Sequence, residues 1–344
     1  MGQIRFKDYL KDYLEYYHIT NKDFANRISI TPKHLISILN GDSDLSSQVI
    51  DNIALVTNIP SDYIYKIEAN YKFECTILEY LNTKHLTKTQ YLNKFHYKYL
   101  LENNFLTFTD QEDKLEIIKD ILKFLRVTGP EKVYEIDSIS TTYYKSKNDK
   151  VELLLLWLEK CYRQTWEQTI NIYQKENISV LVQYILDCAR KFEFDPQKLV
   201  QKFNEYGIYL VIQEDIPGSK IRGAFKVHRE VPSIYLTYKH RRIADIYFAL
   251  LHELAHCKSD FNKAKGSSLV SFDIDTSLES EENADRQAYQ WMVDDCYYYN
   301  VCCKKDYDIE KENKYPKSFI IYRLAKDHYI RYDSKIYQQY NILL

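Results

Sequence analysis

The chemistry of this 344-residue chain is concentrated in one hexapeptide, Leu251-His252-Glu253-Leu254-Ala255-His256. On an α-helix His252 and His256 lie one turn apart on a single face, so both imidazoles can reach one Zn²⁺ ion. Glu253 stands beside that face, placed to take a proton from a water that the metal activates. This is the H-E-x-x-H pattern of zinc hydrolases. With nine histidines in the chain, chance would produce it on the order of 0.02 times at this length. An open zinc site takes three protein ligands and leaves the fourth position to water. The best supplier of the third is Ser280-Glu281-Glu282-Asn283-Ala284-Asp285. Glu281 is the expected ligand and Glu282 the next choice. Asp285, one turn beyond Glu281, is placed to hydrogen-bond a ligating imidazole and fix its tautomer.

The elements that must hold these groups are read from periodicity. Ile243, Ile246, Tyr247, Leu250 and Leu254 fall at the i, i+3, i+4 spacing of a buried helix, which carries the two histidines. Before it, short β-branched and aromatic runs at 208–212, 223–227 and 233–237, bounded by Pro217-Gly218 and Pro232, predict a small sheet for that helix to pack on. Residues 269–272 could add an edge strand. Upstream, 75–101, 113–125, 151–176 and 180–191 carry helix-spaced apolar residues, interrupted by Gly129-Pro130. Seven glycines and seven prolines agree with a chain of long helices and few tight turns. The expected fold is mainly α with a small β-sheet (α+β). It divides into residues 1–70, a helical connector over 71–205, and a zincin-like metallopeptidase domain over 206–344.

Residues 5–70 read as five short helices, at 6–17, 21–27, 32–40, 46–57 and 60–69. Thr31 is an N-cap with Pro32 in the first turn, and Gly41 closes the third helix. The second and third helices, joined through Ile28-Ser29-Ile30-Thr31, make a helix-turn-helix whose third helix would enter the major groove. Thr31, Lys33, His34 and Ser37 would face base edges, and Leu35, Ile38 and Leu39 would turn inward. The stretch Ile19-Thr20-Asn21-Lys22-Asp23-Phe24-Ala25 followed by Thr31-Pro32-Lys33-His34-Leu35-Ile36-Ser37-Ile38-Leu39-Asn40-Gly41 resembles the Cro/CI-type (XRE) helix-turn-helix family, HigA-like antitoxins in particular. That resemblance implies an operator DNA as partner and a phosphate contact from Asn21, which stands where members of the family commonly carry Gln. Residues 1–70 hold seven Lys/Arg against nine Asp/Glu, a net of −2, whereas DNA binding draws most of its affinity from neutralised phosphates. Weak binding by a monomer, and hence a homodimer, is the expectation. A module that docks on protein is the competing reading.

A second resemblance covers residues 205–330. Gly223-Ala224, Pro232-Ser233-Ile234-Tyr235-Leu236, the run from Arg241 to His256, and Glu281-Glu282-Asn283-Ala284-Asp285-Arg286-Gln287-Ala288 are similar to the ImmA/IrrE family of zinc metallopeptidases. Fusion to a helix-turn-helix is a known arrangement of that family, whose members act on DNA-binding repressors. The resemblance implies His252, His256 and Glu281 as zinc ligands, Glu253 as base, and a repressor or toxin–antitoxin partner as protein substrate. The expected function is therefore a transcriptional regulator with zinc-dependent endopeptidase activity. Tyr238, His240 and Tyr289 are candidates to stabilise an oxyanion by nearness in sequence alone. The rival is a non-enzymatic repressor or antitoxin with a structural or sensory zinc domain, against which Glu253 argues, since a structural site needs no base.

Seven cysteines, an odd number without a C-x-x-C pair, fit a reducing cytoplasm. The longest apolar run, residues 153–158, is far too short to span a bilayer.

Overall fold

The computed structural model describes residues 5–136, 150–219, 221–237, 241–262, 264, 268–272, 279–304 and 308–344. The chain packs as two compact units, Met1–Asn93 with Leu100–Tyr134, and Lys94–Tyr99 with Glu135–Leu344. It is mainly helical with one small sheet. Among the described residues no helix is long and apolar enough to cross a membrane.

The first unit opens with helices α1 (Phe6–Tyr16), α2 (Asn21–Arg27), α3 (Pro32–Asn40), α4 (Ser47–Thr57) and α5 (Ser61–Thr83). Capping chemistry sets their starts. The hydroxyls of Thr20, Thr31 and Ser46 accept from the amides of Asp23, His34 and Val49, satisfying N–H groups that a helix start leaves open. Gly41 ends α3 at φ 87°, a left-handed conformation that costs glycine little. Phe6, Leu10, Phe24, Leu35, Ile38, Ile53 and Ile64 meet in one core.

Helix α5 runs on past the expected 60–69, because no glycine or proline interrupts residues 70–83 and Ile77 and Leu81 keep a buried face. The single helix expected over 75–101 is instead three: the end of α5, then α6 (Lys88–Lys94) and α7 (Tyr97–Glu102). His85 and His96 take positive φ, 52° and 50°, which ends α-helical hydrogen bonding. Thr87 and Gln90 then exchange side-chain and backbone hydrogen bonds to start α6. Helix α8 (Lys114–Phe124) begins at its cap Asp113, and its buried Lys119 meets Glu74 of α5 at 3.0 Å.

In the second unit the helices are α9 (Val151–Gln164), α10 (Ile178–Arg190), α11 (Pro196–Glu205), α12 (Ile243–Ser259), α13 (Glu279–Met292), α14 (Asp295–Cys303), α15 (Lys317–Lys326) and α16 (Lys335–Tyr340). The helix expected over 151–176 stops at Gln164. The Thr165 hydroxyl bonds back to the Tyr162 carbonyl, and Gln168 is extended, so the i→i−4 ladder ends there. Strands β1 (Tyr209–Ile212), β2 (Ile221–His228), β3 (Val231–Leu236) and β4 (Ser268–Phe272) form a sheet in the order β1-β3-β2-β4. β1 runs parallel to β3, and β2 antiparallel to β3 and β4. One face of the sheet, with Phe225, Val227 and Ile234, shares its core with Leu250, Leu251 and Leu254 of α12.

A buried ion pair fixes the first helix of the first unit. Arg5, 8% exposed, reaches Glu68 of α5, 6% exposed, at 3.3 Å, while the other Glu68 oxygen accepts the Phe6 amide at 2.9 Å. Glu68→Ala would leave the guanidinium buried without that partner. Urea denaturation should show the first unit losing about 3 kcal/mol, whereas Lys72→Ala, whose pair with Asp44 is exposed, should change little.

Candidate metal centre

Helix α12 is buried almost all round, with His252, Glu253 and His256 at 2%, 0% and 0% exposure. Ionisable groups that deep need partners. α13 supplies them: the Nε2 atoms of His252 and His256 lie 3.1 Å apart, and the two Glu281 oxygens sit 3.3 Å from His252 Nε2 and 3.2 Å from His256 Nε2. Three donor atoms thus converge within 4.8 Å of one another. Glu282, the alternative ligand, is exposed on α13 and outside this group.

Both Nδ1 atoms face carboxylates on their far side. His252 Nδ1 is 2.7 Å from Asp285, as the spacing on α13 suggested. His256 Nδ1 is 3.0 Å from Asp260, whose same oxygen accepts from the Ser280 hydroxyl at 2.8 Å. A carboxylate at Nδ1 places the proton there and leaves the Nε2 lone pair facing inward, which is the tautomer a metal requires. Asp260 was not anticipated, although its sequence signal is plain: it follows His256 by the same four residues that separate His256 from His252.

Electrostatics reflect this crowding of acids around two imidazoles. Burial opposes charge on His256, yet Asp260 and Glu281 outweigh it and hold its pKa up to about 10. His252 is likewise raised, burial being outweighed by Asp285 and Glu281. Burial works against the Glu281 carboxylate too, but the two imidazoles bring its pKa down to about 2. Once the inward protons are lost, the group can hold a divalent cation: two Nε2 lone pairs, one carboxylate, and an acid behind each ring to keep the Nδ1 proton.

Glu253 lies against strand β2 of the sheet. A Cβ on Gly223 of β2 would fall 2.6 Å from Glu253 Oε1, so only glycine lets the strand pass so close to the carboxylate. β2 bulges at this point, its pairing with β4 slipping between Ile221 and Gly223, and such bulges re-aim neighbouring side chains.

Two further devices hold the helices. Asn341 accepts the Ala244 amide at 2.8 Å and donates to Asp245 at 3.1 Å, capping the start of α12. Arg323 of α15 donates to the carbonyls of Tyr289 and Val293, closing the end of α13. Tyr289 packs its ring 4.8 Å from Phe248, and burial raises its pKa. Tyr238 and His240 lie outside the described residues.

The expected DNA-contacting residues sit on the first unit. Asn21 is exposed at the first position of α2, Thr31 spends its hydroxyl on capping α3, and Lys33 is exposed while His34 is half-buried. The Ser37 hydroxyl is 2.7 Å from that of Ser43.

Metal binding needs both Nε2 atoms unprotonated, whereas the metal-free His256 stays protonated up to about pH 10. Its contribution to metal-free stability is fully present below the ordinary value of 6.5 and is lost as pH rises through about 10. Metal affinity should therefore climb with pH across the neutral range, as read by competition with a coloured chelator. His252→Ala should abolish binding, and Asp260→Ala should weaken it by about 10- to 100-fold. Unchanged affinity in the Asp260 variant would remove that residue from the site. No family model matches the chain, nor does any curated protein, so the reading of this centre rests on its own geometry.

Proposed function

We propose that the chain is a zinc-dependent endopeptidase joined to a DNA-binding helix-turn-helix module, and that it acts in the cytoplasm on a repressor or toxin–antitoxin partner. The observation that carries the reading is the convergence of His252, His256 and Glu281, with a further buried acid, Glu253, next to His252 in the chain and outside the ligand set. A structural site needs no such acid, while a hydrolase needs a base.

Zinc, when bound, supplies Lewis acidity toward water and the scissile carbonyl. The remaining work falls to the chain. His252 and His256 are held in the ligating tautomer by Asp285 and Asp260. Glu253 takes the proton of the attacking water and returns it to the leaving amine. Gly223, by carrying no Cβ, leaves the space on the strand side that the Glu253 carboxylate occupies.

A second reading, a repressor or antitoxin with a structural or sensory metal domain, is favoured by the depth of the site, since both histidines are nearly inaccessible. In either reading the α2–α3 pair meets an operator, with Asn21, Thr31, Lys33, His34 and Ser37 as the groups closest to DNA, in a homodimer that offsets the low positive charge.

Glu253→Gln separates the two. It is nearly isosteric and removes no ligand, so metal content should stay at wild-type level while cleavage of a co-expressed partner repressor falls by at least about 100-fold. Cleavage that persists would remove Glu253 as base, and a chain that regulates transcription but cuts no partner in either form would be the metal-stabilised regulator. For the helix-turn-helix, replacing Lys33 and His34 together by Ala should cost about 1–3 kcal/mol per lost base contact in a gel-shift measurement on a selected operator. An unchanged shift would assign the module to protein docking.

A further inference from the structure

Along β2, Gly223, Phe225 and Val227 turn toward α12, and strict alternation would send Arg222 to the opposite face with Ala224. Instead its guanidinium carbon lies 5.8 Å from the centroid of the Phe248 ring, on α12. The bulge is the cause. Ile221 pairs with Phe272 and Gly223 with the adjacent Ser271, so Arg222 is the residue that the ladder to β4 leaves out. Toward β3 its carbonyl accepts the Thr237 amide and the Thr237 hydroxyl, each at 3.2 Å, which pins the main chain while the side chain is turned. Bulges that re-aim a side chain in this way are over-represented beside active sites.

Phe248 links that cation to the metal centre. Its ring lies 6.2 Å from the imidazole of His252, one helical turn on, and 4.8 Å and 5.4 Å from the rings of Tyr289 and Tyr322. Arg222 is felt across these rings: burial and then Asp285 raise the Tyr289 pKa, and the Arg222 charge pulls against both. The steps of 5.8 and 6.2 Å through Phe248 bound the distance from Arg222 to His252, and three or four residues of extended peptide, at about 3.3 Å each, cover it. Arg222 is half-buried, so its head can still be reached. Acids crowd the same region, with Asp245 in range of the Arg222 charge and Glu253, Glu281 and Asp285 around the histidines. They would repel an acidic peptide, and Arg222 sets an opposite charge beside them.

We propose that Arg222 is a specificity-determining residue of this site, pairing with a carboxylate of the peptide substrate within four residues of the bond that is cut. The planar fork of arginine takes a carboxylate in two parallel hydrogen bonds, which lysine reproduces only in part. The favoured substrate is therefore acidic near the cut, through an Asp or Glu side chain or through the end of the chain. The inference rests on the peptidase reading above and names the substrate class of that site.

Peptide hydroxamates, which chelate zinc, are the probes, titrated by calorimetry into the zinc-loaded full-length protein. Each carries four alanines on one side of the hydroxamate or the other, with glutamate or glutamine placed at each position in turn and the end amidated or free. At one position wild type should bind glutamate about tenfold more tightly than glutamine, or a free end about tenfold more tightly than an amidated one. The first result marks a side-chain acid and the second a chain terminus. R222Q should erase the preference, R222K should keep part of it, and R222E should favour lysine at the same position. Zinc content and melting temperature of R222Q should match wild type, which an arginine with a purely structural role would not allow. Hydroxamates that bind wild type without any preference would overturn the role of Arg222 and leave the peptidase reading standing. A preference that survives in R222Q, or loss of zinc or fold in both R222Q and R222K, would overturn it equally. If zinc-loaded wild type binds no hydroxamate, the peptidase reading falls and this inference falls with it.

Discussion

Two imidazoles buried on one helix set the terms for the whole second unit. Neutral or charged, they would be intolerable at 2% and 0% exposure without groups that accept from Nδ1 and face Nε2. Three carboxylates from two segments meet that demand: Asp260 from the C-cap of α12, and Glu281 and Asp285 from α13. The packing of α13 on α12, the closure of α13 by Arg323 and the passage of Gly223 against Glu253 all serve to hold those acids in register. Relax any one and the acids no longer balance the imidazoles.

The sheet and the helix it carries are related in the same way. A side chain at position 223 would displace the Glu253 carboxylate from its place against the strand. The bulge between Ile221 and Gly223 is thus the point at which sheet geometry and site geometry are reconciled.

Much of this was legible in the sequence because it is local. The i, i+4 pairs His252/His256 and Glu281/Asp285, the caps at Thr31 and Gly41, and the alternating runs of the strands each depend on residues a few positions apart. What the sequence concealed is of two kinds. Backbone breaks at His85, His96 and Gln164–Gln168 carry no proline or glycine, so apolar spacing ran straight through them, and only side-chain bonds such as Thr87 with Gln90 or Thr165 with Tyr162 reveal the stops. Long-range partners were also invisible: Glu68 for Arg5, Gly223 for Glu253, Asn341 for Ala244. Asp260 belongs to neither kind. Its four-residue offset from His256 is the histidine spacing repeated once more, and it was readable.

The cap on α12 comes from far along the chain. Ala244 and Asn341 are 97 residues apart, and at about 5–20 residues per second of synthesis roughly 5–20 s pass between the emergence of the helix start and of the side chain that closes it. During that interval both histidines and Glu253 have been made, while the α13 acids and the residues that tie the helix down arrive in stages. The group of His252, His256 and Glu281 is therefore assembled late in the life of the nascent chain, in an order written into the sequence: the histidines and Glu253 first, the α13 acids next, and the cap on the helix last.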